Sequence, residues 1–388
     1  MDRRLIVLVC VWIACIMGQT IPNDDVEEAQ NCQAALPDPI TTLKSGNFAS
    51  SSFFECFRSS AQIYAFIDSM AAASPKKTIT KFEVSKTYLN RTINGYKLSS
   101  SFSKGQAIYI QGLQHAREWI SVMTVVYYLA KLLDSIAAKE TIEYDYYIVP
   151  IVNLDGFIQT WTTGERYRRK NMRPVPKNYP SITNQLEAGV DLNRNWGPAT
   201  YFNLDNVTAT NLTYPGSAPF SEPEVAGIHT WLQAHEEVIG YLDIHSYAAM
   251  ILTPYGDSNN TLPQPYDEKF IALGTFIRDT VIKATNVTYN TMSEWSLYAC
   301  YGTFEDYVFR TYQKAVITIE INGTDFIVPA STISSHNKEV YSMIQAFASN
   351  MPSFYSNLPT PMTKLTNAAN THLHSMFVLF ILFPLLLT

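Results

Sequence analysis

Four apolar runs are dense enough to be buried strands: 107–111, 146–152, 239–245 and 315–321. Around them, apolar residues recur every three or four positions over 59–73, 119–135, 223–235, 269–284 and 337–348. That spacing turns one face of a helix toward a core. Strands alternating with helices over this length predict an α/β fold, one globular domain across 46–355 with a largely buried sheet. No internal repeat or long Gly/Ser linker divides it. Residues 19–45 are polar, hold Pro37 and Pro39, and read as a short extended leader.

The two ends carry a different pattern. Arg3 and Arg4 precede thirteen apolar residues, 5–17, and then Gly18. This predicts a signal peptide over 1–18, because a bilayer span needs about 20 residues. At the other end Asn367, Ala368 and Ala369 are followed by a polar spacer, 370–375, and twelve uncharged residues, 376–387. Small residues, spacer and greasy tail are the arrangement of a GPI-anchor signal, so 356–388 reads as linker plus anchor signal. The expected location is the extracellular face of the plasma membrane, or the medium if the tail is not processed.

Composition narrows the class. Of 388 residues, 47% are apolar and 16% charged, against about 25% charged in an average chain. Such a chain can bury a large core, which excludes global disorder. The net charge of −6 argues against a basic nucleic-acid-binding face. Cys10 and Cys15 lie in the signal peptide; Cys32 and Cys56 could pair in an oxidising compartment, leaving Cys300 odd. Sequons begin at Asn90, Asn206, Asn211, Asn259, Asn286 and Asn322, as expected of a glycoprotein.

Candidate chemistry begins with histidine. His115-Ala-Arg-Glu118 and His336-Asn-Lys-Glu339 share a His-x-x-Glu spacing, which brings both side chains to one side of a helical turn. The first copy follows a strand run and opens an apolar helix, at a strand end where ligands of open α/β sheets gather. The second starts a terminal helix with no strand before it and reads as a solvated helix start. His229 and His235 share one helix and read as surface or core-edge residues. His245 ends the 239–245 strand. His115, Glu118 and His245 therefore form a two-His, one-carboxylate set suited to a single catalytic Zn2+. Asp191, Asn193 and Arg194 cluster after Gly189. Arg168, Arg169 and Lys170 form a basic patch that, taken alone, reads as a solvated face. Glu320 ends an apolar strand, and a buried carboxylate needs a partner or a task.

At this point the sequence resembles the pancreatic-type zinc metallocarboxypeptidases of the A/B group. The resemblance runs from about Gly46 to Pro352 and rests on Gln114-His-Ala-Arg-Glu-Trp119, Val152-Asn-Leu-Asp-Gly156, Gly189-Val-Asp-Leu-Asn-Arg-Asn-Trp196, Phe220-Ser-Glu-Pro-Glu224, Ile244-His-Ser-Tyr247 and Thr318-Ile-Glu-Ile321. It implies a mixed, about eight-stranded sheet between helices, and a monomer that trims peptide or protein C-termini. It also implies residue roles. His115, Glu118 and His245 hold zinc, and Asp191 orients His115. Glu320 is the general base for the attacking water. Arg169 stabilises the oxyanion. Asn193 and Arg194 grip the terminal carboxylate, and Tyr298 closes over it. Arg117, Ser246 and Tyr247 line neighbouring substrate positions.

Glu305 falls where B-type members carry an acidic pocket floor, which implies a preference for C-terminal Lys or Arg. The alternative is that Glu305 points elsewhere and Asp306 is structural. Several departures accompany the resemblance. The short leader replaces a folded inhibitory pro-domain, so no zymogen block is expected. Glu187 stands at a common disulfide position, implying a looser loop, and Arg168 replaces a familiar Trp beside Arg169. Two rival readings on the same fold are a catalytically inactive cell-surface binding protein and a zinc deacylase of non-peptide amides.

Overall fold

The computed structural model describes residues 24–358 except 100, 176–185, 187 and 206. The signal peptide, the GPI-anchor signal, the Glu187 loop position and the Asn206 sequon lie outside the described residues. In chain order the main elements are α1 (Asp24–Ala34), α2 (Ser60–Ala73), β1 (Ile79–Lys86), β2 (Thr92–Leu98), β3 (Ala107–Gly112), α3 (Trp119–Ala137), β4 (Asp145–Val149) and α4 (Leu154–Gln159). They continue with α5 (Pro223–Gln233), β5 (Val238–Ser246), β6 (Met250–Thr253), α6 (Tyr266–Thr285), β7 (Asn290–Ser293), α7 (Phe304–Tyr312), β8 (Ala315–Ile321) and α8 (Ile333–Tyr355).

The strands form one eight-stranded mixed sheet in the order β1-β2-β4-β3-β5-β8-β6-β7. The four expected strands occupy its centre, where β4, β3, β5 and β8 run parallel. Central parallel strands are apolar because both faces are covered, and every residue of β3 is buried. On one face Gly112 lies against Val125 of α3, and Gly240 against Phe347 of α8. On the other, Tyr109 meets Trp231 of α5, and Tyr109 and Tyr241 meet Phe304 of α7. The α/β expectation with helices on both faces is met. Helix α3 is buried over most of its length, which is why it is apolar nearly all round.

Three expectations need correction. Residues 19–45 are not simply extended, because α1 lies within them. Its sequence is polar, so it has no apolar stripe to reveal it. It is held instead by the Cys32–Cys56 disulfide, by Gln33 Nε2 donating to Phe57 O at 2.6 Å, and by a 2.5 Å ion pair from Asp25 to Arg166. The His336/Glu339 pair is buried rather than solvated, because α8 starts at Ile333 and turns both side chains inward. Glu339 accepts a 2.7 Å hydrogen bond from the Tyr289 hydroxyl, which itself accepts from Asn322 N just beyond β8. The basic patch is not a solvated face: Arg168 is buried on Glu165, and Lys170 is buried on the carbonyls of Ala209 and Asn211.

Candidate active site

The site gathers at the C-terminal ends of β3, β5 and β8. The chain leaves β3 into the turn that carries His115 and Glu118, the latter immediately before α3. β5 delivers His245 near its end, and the sheet register sets His245 opposite Glu320 of β8. His115, Glu118 and His245 are all buried, and one ligand atom from each lies within 4.8 Å of the others.

The fit to a metal follows from the donor set. His115 Nε2 faces Asp191 Oδ1 at 3.1 Å, and His245 Nε2 faces Asp243 Oδ2 at 2.8 Å. A carboxylate beside each Nε2 keeps the proton there, so each Nδ1 presents a lone pair. Those two Nδ1 atoms face each other at 3.1 Å, with Glu118 oxygens 2.8 and 3.0 Å away. Lone pairs crowded in this way repel one another unless a cation lies among them. Two imidazole nitrogens and one carboxylate oxygen match zinc, and the site accommodates one ion.

The acids that surround the two imidazoles set the electrostatics of the site. Burial pushes the Glu118 carboxyl up, but His115 and His245 outweigh it and hold it well below the usual range. Burial and Arg169 keep His115 low, against Glu118 and Asp191. Burial lowers His245 too, yet Asp243 and Glu118 raise it well above an ordinary imidazole. Burial raises Glu320 to about 8, opposed by His245 and Arg169 and reinforced by Glu118 and Asp243.

The turn Leu192–Arg194 ties the metal corner to a cationic clamp. Asp191 caps this turn, accepting from Asn193 N at 3.0 Å, and also accepts from Arg169 Nε at 2.9 Å. Asn193 Oδ1 accepts from Phe304 N at 2.8 Å, which commits its oxygen and leaves its amide N–H groups as the outward donors. Arg194 donates to Asn193 O at 2.6 Å and to the Tyr298 hydroxyl at 2.7 Å. Gly302, at φ +70°, lies against the Arg194 carbonyl where a Cβ would come within 2.2 Å, so only glycine fits that approach.

The remaining expected residues fall into two groups. Arg117 stacks on Phe326 at 3.7 Å, and Tyr247 packs on the same ring at 4.7 Å. Ser246 donates its backbone N–H to Glu118 at 3.2 Å. Glu305 stands apart from this wall, fully buried in the first turn of α7, while Asp306 beside it accepts from Gly256 N and Asp257 N. Asp306 is thus structural, while Glu305 faces a second acid, Glu294, and has no ion pair among the described residues. His229 and His235 lie away from the site, stacked on Phe220 and Trp231.

Sequence reasoning missed four contributors. Asp243 shares a strand face with His245, and that alternation was the available signal. Phe326 and Glu294 lie in loops without a pattern. Arg166 links α1 to the substrate wall: paired with Asp25, it donates to Arg117 O at 2.7 Å and Phe326 O at 3.2 Å, and stacks on Trp119 at 3.9 Å. Burial lowers its pKa to about 10, with Asp25 opposing.

Comparison with known proteins follows the same lines. A family model described as zinc carboxypeptidase matches residues 63–343. Carboxypeptidase A1 of Mus musculus is 26% identical over 288 residues, covering 72% of this chain and 66% of that protein's own length. Carboxypeptidase B2 of Rattus norvegicus is 27% identical over 313 residues, covering 77% and 72%. The structure of bovine thrombin-activatable fibrinolysis inhibitor, in complex with tick carboxypeptidase inhibitor, superposes with a TM-score of 0.69 at 26% identity, over 78% of this chain and 99% of that one. The matched family segment contains the whole His115, Glu118 and His245 cluster together with Asp191, Arg194 and Glu320. The chain belongs to the zinc carboxypeptidase family.

Proposed function

We propose that the protein is a zinc-dependent exopeptidase that hydrolyses the last peptide bond of peptides or proteins, favouring C-terminal Lys and Arg. The observation that carries this reading is the 191–194 turn. One end of it holds His115 of the metal triad, and the other presents Arg194. A free carboxylate docked on Arg194 and the Asn193 amide therefore sets the adjoining peptide bond beside the metal corner. An internal bond would give the buried guanidinium a neutral peptide in place of an anion, and leaving a buried charge poorly paired is costly.

Bound zinc supplies Lewis acidity, polarising the scissile carbonyl and acidifying water. Glu320 takes the proton from the attacking water and passes it to the leaving amine. Its position near the end of β8, opposite His245, places this carboxylate beside the metal corner. Arg169, fixed by Asp191, faces the charge that develops on the carbonyl oxygen. Arg117 and Tyr247, packed on Phe326, form a wall for the residues preceding the scissile bond. The buried, unpaired Glu305 carboxyl supports the basic preference.

Chelation should abolish activity and added zinc should restore it. Glu320→Gln should lower kcat by about a thousandfold or more while zinc content stays at one per chain, since general acid–base catalysis alone contributes about 10²–10⁴-fold. Full turnover by a verified metal-free sample would refute the mechanism. Export and lipid anchoring belong to the same proposal, supported by the patterns at the two ends and by the Cys32–Cys56 bridge. Phosphatidylinositol-specific phospholipase C should release the protein from cells; retention together with an intact tail would refute the anchor.

A further inference from the structure

The buried region beside the clamp holds more than one acid. Glu305 is fully buried and Glu294, at the head of the turn Glu294–Ser296, is 5% exposed. Both oxygens of Glu305 and Oε2 of Glu294 lack a hydrogen-bond donor. The two carboxyl groups lie within hydrogen-bonding reach of each other, and together with burial this pushes Glu305 well above its ordinary pKa. Gly256 makes the arrangement possible: a Cβ there would come within 2.4 Å of Glu294 Oε2 and 3.0 Å of Cys300 Sγ. Thr303 Oγ1, just before α7 and two residues from Glu305, is likewise buried without a partner among the described residues.

This acid pair adjoins the clamp. Glu294 and Cys300 both act electrostatically on Arg194, and Cys300 in turn feels Glu294, Arg194 and Glu305. A substrate held by its carboxylate on Arg194 therefore has its last side chain next to a buried region that holds two acids and no ion pair between them and a base among the described residues. Buried acceptors without donors are costly in the free protein, and a cationic side chain with many N–H groups removes that cost on binding. A guanidinium carries five N–H donors in a planar fork and can engage carboxylates on two sides. An ammonium is a compact point charge with three.

We propose that Glu294 is a second specificity-determining residue, which with Glu305 brackets the guanidinium of a C-terminal arginine and ranks Arg above Lys. The assignment rests on the exopeptidase reading with an acidic pocket and goes beyond it in naming Glu294 and in separating the two basic residues. Peptides identical except for a final Arg, Lys or Phe provide the test, run on the zinc-loaded wild type, Glu294→Gln and Glu305→Gln.

The wild type should rank Arg over Lys over Phe. Glu294→Gln should lose about 10- to 100-fold in kcat/KM on the Arg peptide, more than it loses on Lys, with both losses larger than any change on Phe. Equal losses on all three peptides would make Glu294 merely structural, and an unaltered Arg-to-Lys ratio would equally overturn its assignment. Free arginine and free lysine as product inhibitors of the wild type give a check that needs no variant. Arginine should inhibit more strongly, and equal inhibition would overturn the ranking. A wild-type preference for Phe would instead sink the acidic-pocket reading beneath the inference, so the two failures are distinguishable.

Discussion

The metal corner and the adjoining pocket both bury carboxylates, and they treat them in opposite ways. Around the metal triad, Glu118, Asp191 and Asp243 each face a cationic or imidazole partner. Burial pushes Asp191 up, but Arg169 and His115 outweigh it and hold it well below the usual range. Beside the clamp, burial and Glu294 push Glu305 well up, and among the described residues no ion pair offsets them. The first arrangement is complete within the chain and fixes ligand geometry before any substrate arrives. The second is incomplete within the chain, as expected where the missing charge comes from a ligand. An acid without a basic partner is ready to take up a proton or a cation, and a paired acid fixes geometry in advance.

The largest test of this contrast is Asp191→Asn. It would leave Arg169 without its anion and His115 without its orienting acceptor. Breaking a buried pair costs about 3–5 kcal/mol, readable in urea unfolding at pH 7. Because Asp191 is depressed in the fold, its contribution exists above the ordinary carboxylate pKa and fades as the pH falls through its folded value. The deficit should therefore shrink in acid; a loss below about 1 kcal/mol at neutral pH, the scale of an exposed ion pair, would break the comparison.

Glu224 tests the same principle away from both sites. Burial raises it to about 7, with Tyr88 N–H opposing and Glu222 and Asp155 adding. A raised carboxyl contributes fully below its unfolded pKa and loses that contribution as the pH rises through the folded value. Glu224→Gln should thus be more stable than wild type at pH 8, by up to about 3 kcal/mol, and nearly equal at pH 4. A thermal melting series across that range would show it, and a gap independent of pH would contradict it.

Glu305→Gln gives the smallest and most discriminating effect. Removing an acid that faces another acid and no base should stabilise the protein by about 1–2 kcal/mol at pH 8, even as cleavage of basic ends declines. Destabilisation would show that Glu305 has a structural partner after all, and the pocket would then resemble the metal corner.

The centre of the fold was legible because β3, β4, β5 and β8 are buried on nearly every position and so read as apolar runs. The flanking strands were not: β1 and β2 are only partly buried, and β6 and β7 are four residues each. Helix α4 hides its character behind Gly156, and α1 is held by a disulfide and ion pairing rather than by an apolar stripe. In the site, the positions named from ordered motifs come together in space. Asp243 was missed although its strand alternation with His245 pointed to it, because alternation shows a shared face and not a contact. Glu294 was missed because its place beside Glu305 depends on Gly256, a contact that no local spacing encodes.

The bridge between Cys32 and Cys56 spans a largely exposed stretch at 35–46. A protease nicking the chain there would yield two fragments that stay covalently joined, migrating together on a denaturing gel until a reductant separates them. Trimming upstream of Cys32 would be different: it could detach Asp25 and leave the guanidinium of Arg166 without its counter-ion. Any cut upstream of Cys32 would therefore decide whether the floor beneath Arg117 and Phe326 remains braced.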